Sequence, residues 1–400
     1  MMTMPPLLAA PYRSLRTAAV STSVVFAFSG GLSATWVSRL PEIRNRLDAD
    51  PGSLGLALLM GGVGSIVSTP LTGVLVKRFG SRAVVAAMAV LSCLAVVGLG
   101  LAPSVAALGA VVFVFGFGYG SWDVAMNVHG HAVETRAERA WMPRYHAAWS
   151  VGGFTFAGVG TLMSHLGVPI AVHFIGYSVF AVVAVFVCLT RFFDERPADI
   201  EERAEMTAAG HAPAGSRWRL LWALAPLGVV MACATLIEGA ASDWLGIYFN
   251  TERGTSPAAG SLAFTLFSVA MALARVAGTP VIARFGRAGA VRLGGLASIV
   301  GVVVLLLSPG LVLPYVGAAL WGLGVAIVFP AVISAAGDTP GRSAEAIATV
   351  TPIGYSGFLF GPPAIGLLAR QVGLDHALWL LAVLGVLIVV LAGYTRERRR

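Results

Sequence analysis

Stretches of about twenty apolar residues, almost free of charge, recur along the whole of this 400-residue chain. A helix needs that length to cross the hydrocarbon of a bilayer. Twelve such stretches can be placed. They begin near Leu15, Ser53, Ala83, Val105, Tyr145 and Pro169, and resume after a polar interval near Leu220, Pro257, Ala290, Leu311, Ser343 and Leu374. The turns Ala102-Pro103-Ser104 and Ser308-Pro309-Gly310 divide apolar runs that would otherwise read as single spans. Only 12% of the residues are charged and 57% are hydrophobic, whereas a soluble chain carries about 25% charge. The 48 glycines suit helices that pack backbone against backbone. The sequence therefore predicts an all-α membrane protein with twelve transmembrane helices.

The formal charge of +8 does not point to nucleic acid, because the cations are spread over short loops between apolar spans. With both termini inside, 21 of the 27 Lys and Arg fall in cytoplasmic segments and 5 outside, leaving Arg275 within a span. That bias places both termini in the cytoplasm. Arg13 and Arg16 before the first apolar run resemble a signal peptide, but the many spans that follow make it a retained first helix. Cys93, Cys188 and Cys233 stand in separate spans without redox or metal spacing. The interval Asp194 to Arg217 is charged and then small, and reads as a cytoplasmic linker, partly helical over Ala198–Thr207.

Short glycine motifs repeat. FGFG at Phe115–Gly118 returns as WGLG at Trp321–Gly324, and KRFG at Lys77–Gly80 returns as ARFG at Ala283–Gly286, both 206 residues later. Gly31 and Trp36 return as Gly239 and Trp244 at an offset of 208. Three ordered matches at nearly one offset predict two six-helix, pseudo-symmetric halves of the same orientation. The expected boundaries are 1–191 for the first half, 192–217 for the linker and 218–400 for the second half.

Two six-helix halves, a central linker and a basic RFG turn between the second and third spans resemble the major facilitator superfamily over nearly the whole chain. The superfamily's loop motif is roughly G-x-L-x-D-R-x-G-R. In GVLVKRFGSR, the residues Gly73, Leu75, Arg78, Gly80 and Arg82 match it, and Lys77 takes the aspartate's place. In the second half Arg284 and Gly286 match. The resemblance implies alternating access, with these turns as a gating loop and a central cavity lined by spans one, four, seven and ten. A narrower likeness joins FGFGYGSWDVAMN, with Asp123 and Asn127, to the fucose-permease-like branch of sugar–proton symporters. In that branch the acid faces the cavity. The branch's acid in span one has no match in ATWVSRLP, Ala34 to Pro41.

Asp123 lies eighteen residues beyond Val105, about 27 Å along a helix, and so in the inner half of the span. Tyr119 and Asn127 flank it one turn away on the same face. An ionised carboxylate facing lipid at such depth costs roughly 3 kcal/mol, so this stripe must face protein or water. Burial favours the neutral acid, which suits a group that loads and releases a proton. The alternative is a structural acid bonded to a neighbouring helix. Glu238, in the outer half of span seven, is the second candidate for proton coupling, or else a wet vestibule acid; Asp243 is expected near the outer mouth.

Arg275 lies about 13 Å from Arg284. It would either snorkel to the headgroups or pair with an acid such as Asp123, and its depth disfavours Glu238. Trp36 and Trp244 occupy equivalent places and would stack on a ring-shaped solute or anchor the interface. Tyr355 is a further cavity candidate, in a span kinked by Pro362-Pro363. His146 at the start of span five reads as structural.

Lys77 is the one lysine, so no G-K-[ST] phosphate loop exists, and nothing here has the spacing of an enzyme active site or a metal site. No cofactor is expected. The sequence predicts a monomeric secondary transporter of a bacterial inner membrane, moving a small polar solute such as a sugar by proton symport. The alternatives are proton-driven export of a hydrophobic or cationic compound, and a non-transporting sensor on the same scaffold.

Overall fold

The computed structural model describes residues 12–137, 141–193, 214–339 and 342–397. Most of the expected linker, including its helix at Ala198–Thr207, lies outside the described residues. Those described are helical and contain no strand. The first half comprises α1 (Tyr12–Val37), α2 (Leu40–Leu47), α3 (Pro51–Leu101), α4 (Val105–Ala137), α5 (Met142–His165) and α6 (Ile170–Leu189). The second comprises α7 (Ala214–Ala240), a π-helical segment (Ala241–Leu245), α8 (Gly246–Thr251), α9 (Pro257–Leu307), α10 (Val312–Val325), α11 (Val328–Gly337), α12 (Ser343–Val372), α13 (Leu374–Ala377) and α14 (Trp379–Leu391).

Helices α3 and α9 are 51 residues each, about 77 Å if straight and more than twice the hydrocarbon thickness. Each crosses twice. The break falls at Gly80 (φ 77°) in α3 and at Gly286 (φ 69°) in α9, a backbone region open to glycine at little cost. The repeated RFG motif is thus the turn between paired crossings. The offset of 206 also holds for the ends of these helices and for their caps. Asp50 accepts from the Gly52 and Ser53 amides at 3.0 and 3.1 Å, and Ser256 accepts from Ala259 at 3.3 Å.

Twelve crossings result: α1, α3 twice, α4, α5, α6, α7, α9 twice, α10 with α11, α12 and α14. An even count puts both termini at one end of the bundle, here the terminal end, opposite the far end. The FGFG and WGLG repeats also acquire a cause. A Cβ on Gly116 would stand 1.9 Å from the Gly61 carbonyl oxygen, and one on Gly322 would stand 2.4 Å from that of Phe267. Residues 61 and 267 are themselves 206 apart. The glycines are what allow span four to lie on span two, and span ten on span eight.

Among the described residues, the hydrogen bonds that join the halves lie toward the far end. Asn45 Nδ2 donates to Asn250 Oδ1 at 2.7 Å, the Thr161 and Thr265 hydroxyls meet at 3.1 Å, and Ser261 Oγ donates to the Ser38 carbonyl. Small residues let α3 and α12 touch on the same side: a Cβ on Gly55 would meet the Pro362 carbonyl oxygen at 2.6 Å, and one on Gly366 would meet that of Pro51 at 2.4 Å. Toward the terminal end the facing side chains are exposed, among them His146 and Tyr355. The far end is closed and the terminal end is open.

The second half is tied at its terminal end. Arg287 is buried, bonds Asp338 and donates to Ser334 Oγ at 2.7 Å, while its backbone N–H donates to Glu397 Oε1 at 2.8 Å. That amide, then Glu397's own backbone amide, and to a smaller extent the guanidinium hold the Glu397 carboxyl below the usual carboxylate range. A lowered value stabilises the tie above the ordinary carboxylate pKa, and the stabilisation is lost as pH falls through the lowered value. Amide exchange over 392–397 is therefore expected to quicken in acid, and Glu397→Gln to quicken it already at neutral pH. Equal exchange in variant and wild type at pH 7 would refute the tie.

Candidate functional site

A cavity of about 80 Å3, continuous with open solvent, lies between the halves. Span one contributes Gly30 and Ser33, span five Trp149 and Ser150, span seven Glu238 and Ser242, and span eight Phe267 and Arg275. Helical spacing explains the set. Trp149, Ser150, Gly153 and Phe154 follow one face of α5, and Phe264, Phe267, Ser268, Met271 and Arg275 follow one face of α9. The lining expected from resemblance was spans one, four, seven and ten. The structure instead puts spans five and eight on the wall, because these two pack together at the closed far end and flank the space below it. Span four is not in that lining, but its Tyr119 Oη accepts from the wall's Trp149 Nε1 at 3.1 Å.

The two acids differ in their surroundings. Asp123 is partly exposed and receives the Asn127 amide, whose Nδ2 donates to its carboxylate at 3.3 Å and to its carbonyl at 2.9 Å. No cationic side chain pairs with it among the described residues. Glu238 is paired: Arg275 donates to its Oε1 at 3.1 Å. This corrects the expectation that their depths keep them apart. Ala214 to Thr251 is nearly continuous helix, about 57 Å long, so Arg219 does not mark the membrane boundary. Counted from the far end, Glu238 is 13 residues before Thr251 and Arg275 is 18 after Pro257. The difference is about 7 Å, which an arginine side chain spans. Tyr355 is within electrostatic reach of both acids, and His146 is within reach of Arg275.

The paired tryptophans are also placed differently from expectation. Trp36 and Trp244 are 6% and 0% exposed and do not line the cavity. Trp36 packs edge-on to Phe115 at 5.7 Å, Phe115 stacks on Tyr119 at 5.2 Å, and Tyr119 holds Trp149. The column fixes the indole that does face the cavity. Trp149 escaped the sequence reading, although a signal was present: Tyr355 stands 206 residues after it. Asp243 sits partly buried in the π-helical segment rather than at an open mouth.

Residues 21–357 and 227–400 match the model of the Major Facilitator Superfamily. The chain belongs to the major facilitator superfamily. Among curated relatives it is 30% identical to an uncharacterized transporter, y4wD, of Sinorhizobium fredii, over 93% of this chain and 96% of that one. It is 28% identical to the membrane protein MosC of Rhizobium meliloti, over 95% and 90%. Its fold is similar to that of the nucleoside transporter NupG, with TM-score 0.72 and 14% identity over 96% and 98% of the chains. It is also similar to a D-xylose-proton symporter, with TM-score 0.73 and 15% identity over 94% and 96%. The superfamily fold accounts for the twelve crossings and the two halves, and the chain is a multi-pass membrane transporter rather than an enzyme. Its two superfamily loop turns lie at the terminal end. Gly73, Lys77, Arg78, Gly80 and Arg82 belong to the first turn, and Arg284 and Gly286 to the second, with Lys77, Arg78, Arg82 and Arg284 exposed.

Proposed function

We propose that this protein is a proton-coupled secondary transporter that moves a small polar, uncharged solute such as a sugar by alternating access. The observation that carries the reading is the cavity between the halves, closed at the far end and open at the terminal end. Its charges cancel within it, since Arg275 neutralises Glu238. Its remaining polar groups are serine hydroxyls beside aromatic faces, which suit a solute with hydroxyls and an apolar ring face. Asp123, with no cationic partner among the described residues, is the first coupling acid and Glu238 the second. Asn127 positions Asp123, Tyr119 lies within its electrostatic reach, and Tyr355 is within electrostatic reach of both acids. Lys and Arg bias orients the terminal end to the cytoplasm of a bacterial inner membrane. We take 1–191 and 218–400 as the rocking units, joined by 192–217, in a monomer.

The unpaired Asp123 is also what favours a second reading, proton-driven export of an organic cation. Right-side-out and inverted vesicles, energised by a proton gradient and offered D-xylose, uridine and tetraphenylphosphonium, separate the two. Proton-driven movement of xylose or uridine is expected; movement of the cation alone would establish export and overturn symport.

The aromatic wall makes a separate prediction. Trp149→Ala removes a ring face worth ~1.5 kcal/mol of stacking, so the KM for a transported ring solute should rise about tenfold, while Trp149→Phe keeps most of the affinity. An unchanged KM in Trp149→Ala would take the solute off that wall.

A further inference from the structure

The two repeated turns at the terminal end differ in one respect that transport does not explain. In the second half, the buried Arg287 is held by Asp338 and Glu397. At the positions 206 residues earlier the first half carries Ser81, Ala132 and Arg191. Both acids are missing, and the tail position is basic. Lys77, Arg78 and Arg82 crowd three cations into six residues, all exposed. Among the described residues no carboxylate bonds to any of them, and Arg78 instead lies over the ring of Phe79 at 5.2 Å. Phe79 is 55% exposed, at the end of an apolar crossing and so at headgroup depth. Arg191, likewise exposed, ends the sixth crossing at the same end of the bundle.

We infer that the first turn is a docking surface for an anionic phospholipid, whose headgroup phosphate supplies the counter-charge that no described carboxylate supplies to its three cations; over the matching residues 283–288 the second turn exposes one cation, Arg284, over Phe285 at 5.6 Å. The charge complementarity is direct. A phosphate accepts from the Arg78 and Arg82 guanidinium groups and the Lys77 ammonium, and Phe79 lies against the upper acyl chain. Among the described residues, Gly73 and Gly80 leave open space beside them: a Cβ on either meets no atom within 4 Å. The headgroup therefore approaches the cations without a side chain in the way. Lys77 sets the sign, because an acid there would neutralise its arginine neighbours from within.

The test uses the purified full chain in detergent, titrated with phosphatidylglycerol or phosphatidylcholine, with bound lipids counted by native mass spectrometry. Phosphatidylglycerol is expected to bind in preference to phosphatidylcholine. Neutralising Lys77, Arg78 or Arg82 to Gln should each weaken that preference about fivefold, and Lys77→Asp should weaken it further. Arg284→Gln, in the other turn, should leave most of it. Equal binding of the two lipids by wild type, or an undiminished preference in Lys77→Gln and Arg82→Gln, overturns the inference. So does displacement of phosphatidylglycerol by millimolar inorganic phosphate, which would mark a site for a free anion.

Discussion

Vesicles carrying the Asp123→Asn protein are expected to exchange solute across the membrane at close to the wild-type rate, yet fail to concentrate it when a proton gradient is imposed. Among the described residues the carboxylate receives only the Asn127 amide, at 3.3 Å, and has no cationic partner. An asparagine keeps the size and a hydrogen-bonding oxygen but carries no exchangeable acid proton. One unit of pH gradient coupled one-to-one is worth ~1.4 kcal/mol, or about tenfold accumulation, and that factor should vanish. Glu238→Gln provides the contrast. It strands the Arg275 guanidinium in the cavity without its 3.1 Å partner, a change that damages the empty carrier itself, so exchange should fall along with accumulation. Full proton-driven accumulation by Asp123→Asn would remove Asp123 from the coupling step.

Gly55→Leu and Gly366→Leu are expected to stop turnover by preventing closure of the far end. In the closed arrangement even a Cβ at these positions would come within 2.6 and 2.4 Å of facing carbonyl oxygens, and backbone of this kind cannot swing aside as a side-chain tip can. Overpacking costs ~1–3 kcal/mol, and here it is charged to one state alone. Each 1.4 kcal/mol shifts the populations about tenfold, so the carrier would be held open at the far end. The readout is Ser261→Cys, whose native hydroxyl is buried and bonds the Ser38 carbonyl across the interface. Its reaction with a membrane-impermeant maleimide should rise several-fold in either leucine background. Unchanged labelling with normal transport would mean that the seam is not a gate.

Much of the architecture is legible in the residues. Span length follows from bilayer thickness, and the 206-residue offset reappears in the bounds of α3 and α9, in the glycine turns at 80 and 286, and in the Gly116–Gly61 and Gly322–Phe267 approaches. The Asp123–Asn127 contact also follows from spacing, since residues four apart share a helix face. The cavity wall was harder to read. Trp36 and Trp149 are both tryptophans in apolar helices, and nothing local says which one packs against Phe115 and which faces the opening.

Periodicity and charge placement set the helices, their number and the repeat, because those depend on each segment's own length, apolarity and glycine content. The Glu238–Arg275 pair, the burial of Trp36 and Trp244, and the closed far end depend on how separate helices tilt and overshoot the bilayer, and on which of two nearly isoenergetic arrangements of the halves is adopted. A few kcal/mol spread over many contacts separates such arrangements. No single segment carries that difference, so it emerges only when the halves are packed together.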